Sequence, residues 1–186
     1  MKFIINSYYH IYNRTNNEEP LFRSHENYLF FLKKYRIYLE DYFETIAYCL
    51  MPTHFHFLVR IKNVINVNSS DDNQKLDILI SKGMQILQSS YTKAINKKNN
   101  RHGNLFQAHY SSKLIGDDSY LISLLTYIHQ NPVRSKLVIK PYEWLYSSYQ
   151  DYIDLRNGTL PSKELILNMI KKEELKELTE RKLIQL

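Results

Sequence analysis

Two histidines separated by one phenylalanine, His54 and His56, stand in a run that is otherwise almost wholly apolar, LMPTHFHFLV at residues 50–59. Because successive side chains of a β-strand point to opposite faces, both imidazoles would project the same way, while Phe55 and Phe57 would point into the core. Neutral imidazoles are common ligands of divalent metal ions. The spacing therefore makes a metal site a candidate. Two ligands alone do not hold a metal, so this motif by itself is more typical of a pair on a solvated sheet face or one that makes local hydrogen bonds.

A third ligand would have to come from elsewhere in the chain, and the stretch TYIHQNP at residues 126–132 is a candidate. Tyr127 and Asn131 are four residues apart and would share a helix face. An amide oxygen is an acceptable ligand for a divalent ion, but Asn is also common at helix ends, and Tyr127 is one of 16 tyrosines. His129 would lie about 200° around the helix from Tyr127, so we do not expect it to act as the base of that phenol.

Composition limits the classes of protein that fit this chain. A length of 186 residues, 44% of them hydrophobic, suits one ordinary domain. A single cysteine, Cys49, excludes an internal disulfide framework and fits a reducing cytoplasm. No apolar stretch approaches the roughly 20 residues of a membrane-spanning helix, so we expect a cytoplasmic protein with no membrane partner. The net charge of +6 makes nucleic acid a candidate partner, although charge alone is more typical of a mildly basic soluble protein. The 16 tyrosines could stack on the bases of single-stranded nucleic acid, and a biased genome composition is the alternative explanation.

Hydrophobic periodicity and turn residues predict the order strand, helix, strand, strand, helix, strand, helix. The predicted bounds are 3–13 for the first strand, 24–40 for a helix capped by Ser24, 43–61 for a hairpin, 76–97 for the second helix, about 105–115 for the fourth strand, and Asp117 or Asp118 to Pro132 for the third helix. The first six elements match the α+β ferredoxin-like βαββαβ pattern, an antiparallel sheet with helices on one face.

Two segments lie outside this pattern. Residues 62–74 are polar and predict a loop, and residues 162–184 predict one or two amphipathic helices that form an appendage to the core. We therefore divide the chain into a domain at 1–152 and a C-terminal helical tail at 153–186.

These motifs together resemble the single-tyrosine transposases of the HUH superfamily, and most closely the REP-associated tyrosine transposase branch. His54-Phe55-His56 fits the histidine–hydrophobe–histidine motif, and YIHQNPVR follows about 70 residues later. MPTH departs from the usual MPNH at Thr53, which is not expected to bind metal. The similar stretches lie within residues 8–152 and are YHIYNR (9–14), AYCLMPTHFHFLV (47–59), SSYTKAINKK (89–98), HGNLFQAHYSSKLI (102–115), TYIHQNPVRSKLV (126–138) and SSYQDY (147–152).

The resemblance implies specific roles and a specific reaction. Tyr127 would be the nucleophile, and His54, His56 and Asn131 would bind Mg²⁺ or Mn²⁺, although imidazole also suits ions such as Zn²⁺. A free tyrosine has a pKa of about 10, so its phenol needs an activated phosphate. Attack on single-stranded, hairpin-associated DNA would give a 5′-phosphotyrosine link and a free 3′-hydroxyl, and reversal would join new strands. A monomer is favoured over a dimer.

Basic residues near these motifs are candidates for DNA binding, although each is also an ordinary solvated side chain. They are Arg14, Lys97, Lys98, Arg101, Lys113, Arg134 and Lys136.

Two other functions stay open. A metal-dependent phosphodiesterase would need a carboxylate-rich site, but the only acidic residues near the motifs, Asp117 and Asp118, are better explained as helix caps. A domesticated protein that holds hairpin DNA without cutting it would not need Tyr127 and the histidine pair, which are both present.

Overall fold

A four-stranded antiparallel sheet forms the centre of the computed structural model, which describes residues 2–64 and 70–181. The strands are β1 Tyr8–Arg14, β2 Phe43–Met51, β3 His54–Ile61 and β4 Ser111–Ile115, in the order β2-β3-β1-β4. Every neighbouring pair is antiparallel. This is the strand order of the ferredoxin-like fold, so the predicted fold class is confirmed.

Six α-helices connect and cover the sheet within the described residues. They are α1 His25–Leu39, α2 Ser70–Lys98, α3 Asp118–Arg134, α4 Tyr149–Tyr152, α5 Glu164–Leu167 and α6 Lys172–Glu180. α1 and α2 pack together on one face of the sheet, as predicted, and α3 packs on the opposite face against β2. None of the described helices is long and apolar enough to cross a membrane.

The face beneath α1 and α2 is a closed aromatic core. Phe55 and Phe57 of β3 point into it, as the alternation of the strand predicts. The Tyr35 ring from α1 stacks on Phe57 with centroids 4.1 Å apart, and the Phe31 ring lies 5.2 Å from Phe55. Aromatic side chains bury a large area each, so this face supplies much of the stability of the fold.

α3 carries Tyr127, and the residues at its two ends explain why it begins at Asp118 and ends at Arg134. The carboxylate of Asp117 accepts a hydrogen bond from the backbone N–H of Tyr120 at 2.7 Å, which makes Asp117 the N-cap. The prediction that Pro132 ends the helix is wrong, because the helix continues to Arg134. Pro132 has no N–H to donate, but the turn that contains it is still closed, because the carbonyl of Asn131 accepts from Ser135 N and that of Pro132 from Leu137 N, both at 2.9 Å.

Several other predicted bounds of strands and helices differ from those in the structure. The first strand begins at Tyr8 rather than residue 3, after a turn with Asn6 at a φ of 62°. The fourth strand begins at Ser111 rather than near residue 105. α2 begins at Ser70, so the predicted loop at 62–74 is too long. Residues 65–69 of that predicted loop lie outside the described residues.

The C-terminal tail is packed rather than appended. Ile166 and Leu175 are buried in the same apolar cluster as Ile128 of α3. The side chain of Gln130 on α3 donates to the carbonyl oxygens of Leu178 and Thr179 at 3.2 and 3.1 Å. The predicted helices at 162–184 correspond to α5 and α6, and residues 182–184 lie outside the described residues. The division of the chain at residue 152 stays a prediction.

Candidate active site

The face of the sheet opposite α1 and α2 carries three histidines. His54 and His56 both lie on this face of β3, as the alternation predicts, and their ring centroids are 5.1 Å apart. His10 of the neighbouring strand β1 joins them, with Nε2 2.9 Å from Nδ1 of His56. Tyr12, two residues further along β1, is the register partner of His56.

His54 and His56 each make a hydrogen bond through one ring nitrogen, which leaves the other ring nitrogen available to bind a metal ion. His54 uses Nδ1 in a 3.1 Å contact with the hydroxyl of Thr53, and His56 uses Nδ1 in its contact with His10. The nitrogen left on both rings is Nε2. A metal-binding histidine commonly has its second nitrogen fixed by such a partner.

The electrostatic surroundings favour neutral imidazoles. Burial, with a smaller effect of the cation of Arg14, lowers the pKa of His54 below its ordinary value. Burial also holds the pKa of His56 well below its ordinary value, and the neighbouring imidazoles of His10 and His54 act in the same direction. Burial and then Lys113 lower the pKa of His10 to about 4. Neutral rings carry the free lone pair that a metal ion needs.

α3 brings Tyr127 to this face. Its ring lies 6.2 Å from the ring of His56 in a T-shaped arrangement, and 40% of the residue is exposed. Asn131, one turn later, is buried, and its Nδ2 donates to the backbone carbonyl of Tyr127 at 3.0 Å. That bond uses Nδ2, so Oδ1 is the atom of Asn131 that could bind a cation.

The donor set fits a divalent cation if an amide oxygen is the third ligand. Within residues 2–64 and 70–181 there is no group of three His, Cys, Asp or Glu residues that could hold a metal. Two imidazole nitrogens and the oxygen of Asn131 are ligands that Mg²⁺ and Mn²⁺ accept, and the imidazoles also suit Zn²⁺. Three protein ligands would leave coordination positions open for a substrate, as a catalytic site requires.

A groove of about 240 Å³ lies beside Tyr127, between α3 and α6. The guanidinium carbon of Arg134 lies 5.4 Å from the centroid of the Tyr127 ring. α6 forms one wall of the groove through Leu178. The lining residues are Ile122, Ser123, Thr126, Tyr127, Gln130, Arg134 and Leu178.

Three of the predicted DNA-binding cations surround the histidine face. Arg14 ends β1 as the register partner of His54. Lys113 on β4 is the register partner of His10, and its ammonium lies over the ring of Tyr120 at 4.7 Å. The third is Arg134, over the ring of the predicted nucleophile.

The other four predicted cations lie outside this group. Lys97 and Lys98 are exposed at the end of α2, and Lys136 is exposed just after α3. Arg101 is largely buried in a 2.7 Å ion pair with Glu19. All seven stay predictions as DNA contacts.

His129 has a structural environment, as its position on the far side of α3 predicts. It is fully buried, its Nε2 lies 2.9 Å from the hydroxyl of Ser148, and burial lowers its pKa to about 3. It is therefore turned away from Tyr127 and packs against Tyr149 and Tyr152.

Two residues of the site were missed by the sequence interpretation, His10 and Tyr12. The Tyr12 ring lies 4.6 Å from His10 and 5.9 Å from His56, and 38% of the residue is exposed. A signal was present, because residues 8, 10, 12 and 14 alternate along β1 as 54 and 56 do along β3. The predicted ferredoxin-like fold also places β1 beside β3, but the sequence interpretation did not extend the alternation of β3 across to β1.

Comparisons with known proteins agree on one family. Residues 3–131 match the family model described as "Transposase IS200 like". A Haemophilus influenzae protein named as a REP-associated tyrosine transposase is 30% identical over 129 residues, which cover 64% of this chain and 66% of that protein. The chain therefore spans slightly less than two thirds of this relative.

A solved structure agrees with the fold. It is described as a REP-associated tyrosine transposase bound to a REP hairpin, and it is 16% identical, with a TM-score of 0.59. The match covers 83% of each chain. At this identity the likeness concerns the arrangement of helices and strands.

Proposed function

This chain belongs to the family of IS200-like transposases, and on that premise we propose that it cleaves and rejoins single-stranded DNA through a covalent bond to Tyr127. The resemblance to the REP-associated branch, noted from its motifs, agrees with the relative and the fold found by comparison. The finer steps below depend on the geometry of the site.

The observation that carries the proposal is the approach of Tyr127 to the histidine pair. The phenol on α3 and the imidazole of His56 on β3 lie with ring centroids 6.2 Å apart, although 71 positions separate them in sequence. An exposed phenol supplies a nucleophile, and the neutral imidazoles and buried amide beside it are groups that could hold a metal ion to activate a phosphate for its attack.

The protein holds the reacting groups and supplies the nucleophile. Nε2 of His54, Nε2 of His56 and Oδ1 of Asn131 would bind Mg²⁺ or Mn²⁺, and such an ion, when bound, withdraws charge from a phosphate oxygen. The phenolic oxygen of Tyr127 attacks phosphorus and the bond from phosphorus to O3′ breaks. The product is a 5′-phosphotyrosine link and a free 3′-hydroxyl.

Proton movement follows from exposure. Tyr127 is open to solvent, so its phenolic proton can leave to water, and the departing 3′ oxygen can take a proton from water. His129 is excluded as the base because it is buried against Ser148. In the reverse direction a different 3′-hydroxyl attacks the phosphotyrosine, which joins new strands without another energy source.

The surroundings of the site suit single-stranded DNA. Arg14, Lys113 and Arg134 offer cations for phosphates around the histidine face, and Tyr12 offers an exposed ring for base stacking. The structural relative is described as bound to a REP hairpin. We therefore propose a hairpin-associated strand as the substrate.

A single copy of the chain contains every group of the proposed site. The Tyr127 helix reaches the histidines of its own sheet, so no second subunit has to supply the nucleophile. This supports a monomer as the active form.

The test uses labelled single-stranded hairpin DNA with Mn²⁺, and the products are separated on a denaturing gel. We expect a covalent protein–DNA adduct that is lost in Tyr127→Phe and retained in Tyr38→Phe, a tyrosine on α1 beyond the opposite face of the sheet. Tyr12→Phe is the decisive comparison, because Tyr12 lies as close to His56 as Tyr127 does. The adduct should persist in Tyr12→Phe.

Other outcomes would favour the rival functions. Cleavage without an adduct that survives Tyr127→Phe would indicate a hydrolase. Hairpin binding with neither adduct nor cleavage would indicate a DNA-binding protein that no longer cuts.

A further inference from the structure

His10 is a third imidazole that the proposed function leaves without a role. It is 92% buried on β1, where its ring contacts His56 and Tyr12 and its register partner on β4 is Lys113. Its Nε2 lies 2.9 Å from Nδ1 of His56, and the two rings are nearly parallel, with centroids 5.1 Å apart. A contact this short between ring nitrogens is a hydrogen bond.

That hydrogen bond restricts where the protons lie. A bond between two neutral imidazoles needs one N–H and one lone pair, and each neutral ring has only one proton. If His10 donated from Nε2, the proton of His56 would sit on its own Nε2, and that nitrogen could not bind a metal. If His56 donates from Nδ1, its Nε2 lone pair is free.

The fold holds the His10 ring beside His56, at a distance where either ring could donate. The β1–β3 pairing sets Tyr12 opposite His56, and the Tyr12 ring covers the imidazole of His10 at 4.6 Å. Within the described residues, the partner of His10 Nε2 is His56, so this nitrogen is in a position to fix the tautomer of the His56 ring. Outer-shell partners of this kind fix the tautomer and ring orientation of a metal-binding histidine.

We propose that His10 is a positioning residue that accepts the Nδ1–H of His56, so that His56 presents its Nε2 lone pair to a divalent cation. This inference rests on the proposed function, because it assumes that His56 binds the cation. His10 does not contact the cation or the DNA in this scheme. It acts by selecting one tautomer and one orientation of a ligand.

The first test measures Mn²⁺ affinity without DNA, by titration of the full chain followed through the EPR signal of free Mn²⁺. His10→Phe keeps a flat ring but removes the acceptor, and we expect its affinity to fall by roughly 10–100-fold. His10→Gln restores an acceptor oxygen and should recover most of the affinity. His25→Gln removes a histidine that lies near Tyr146, far from the site, and should leave affinity unchanged.

The second test reads the tautomer directly. Long-range ¹H–¹⁵N correlation NMR of the Mg²⁺-saturated wild-type protein should show the His56 proton on Nδ1 and the His10 proton also on Nδ1. This measurement needs no variant, so it decides the question even if His10→Phe fails to fold. A proton on Nε2 of His56 would overturn the inference.

The results separate the inference from the function beneath it. Wild-type affinity that is unchanged in His10→Phe would overturn the role of His10 and leave the metal site intact. If the wild-type protein binds no Mn²⁺, or binds it no more tightly than the His54→Ala variant does, the metal site and the inference are both overturned. Thermal unfolding in EDTA distinguishes loss of a ligand geometry from loss of the fold.

Discussion

The two faces of the sheet use the same strand for opposite purposes. Along β3, Phe55 and Phe57 point into the closed core under α1 and α2, whereas His54 and His56 point to the face that α3 only partly covers. The first face is filled by stacked rings such as Tyr35 on Phe57 at 4.1 Å. The second keeps Tyr12 and Tyr127 more than a third exposed.

The difference shows how a small sheet supports a polar site. Burying an imidazole costs free energy unless its nitrogens find partners, and here His56 bonds His10 and His54 bonds the hydroxyl of Thr53. The aromatic face offsets the cost, because its buried rings stabilise the strands that carry the histidines. We therefore expect substitutions on the two faces to separate into losses of function and losses of stability.

The largest expected effect is on the open face. His56→Ala removes a proposed ligand, so DNA cleavage and Mn²⁺ affinity should fall by more than the roughly 10–100-fold expected for an outer-shell partner. The free energy of unfolding should fall by only about 1–2 kcal/mol, because one buried hydrogen bond is lost. Adduct yield on a denaturing gel and urea unfolding measure the two quantities. Retained cleavage would contradict the role of His56.

The adjacent residue gives the opposite pattern. Phe57→Ala empties a site stacked on Tyr35 in the closed core and should lower the free energy of unfolding by about 3–5 kcal/mol. The folded fraction should retain adduct formation. Urea unfolding with the adduct assay on the same sample checks this. A selective loss of chemistry at unchanged stability would break the division between the faces.

The sequence predicted this division well where the evidence was local. The alternation through His54–Phe57 assigned each side chain of β3 to its face, and Phe55 and Phe57 are buried as it predicts. Spacing also set Tyr127 and Asn131 on one helix face. The roles of those residues came from the family resemblance, because residue types alone left a solvated histidine pair open.

What the sequence did not predict depends on contacts between distant segments. His10 and Tyr12 join the site because β1 lies beside β3, a pairing that the predicted ferredoxin-like fold implies but that no motif around His10 itself indicates. An amphipathic pattern shows that a helix has an apolar face but not which element covers that face, so the tail was predicted as an appendage. In the structure Leu175 packs in the same apolar cluster as Ile128 of α3. The residues after Pro132 also decide where α3 ends, because bonds from Ser135 N and Leu137 N close the turn around the proline and the helix continues to Arg134.

A smaller effect concerns His129, the buried histidine that lies away from the site. Burial lowers its pKa to about 3 from an ordinary value of 6.5. Between these pH values the unfolded chain binds more protons than the folded chain. The contribution of His129 to the free energy of unfolding is therefore fully present above about pH 6.5 and is lost as the pH falls toward 3. The contribution reaches about 1.4 kcal/mol per pH unit.

His129→Gln removes this titration and can still bond the hydroxyl of Ser148. The free energy of unfolding of the variant should therefore depend less steeply on pH between 4 and 6.5, while its Mn²⁺ affinity at neutral pH stays that of the wild type. Urea unfolding across this pH range measures the slope. Parallel profiles for both proteins would show that His129 does not contribute to acid sensitivity.

The smallest effect separates two of the predicted DNA-binding cations. Lys113→Gln removes a cation beside His10 on the open face, so single-stranded DNA affinity should fall several-fold and the dependence of log K on log salt should flatten by about 0.7. Arg101→Gln breaks the ion pair with Glu19 and the bond to Asn96, so it should cost up to about 1 kcal/mol of stability and leave the salt dependence unchanged. Fluorescence anisotropy at several salt concentrations measures both. Equal flattening in the two variants would extend the DNA path from the histidine face to the loop after α2, and the open face would then be only part of the binding surface.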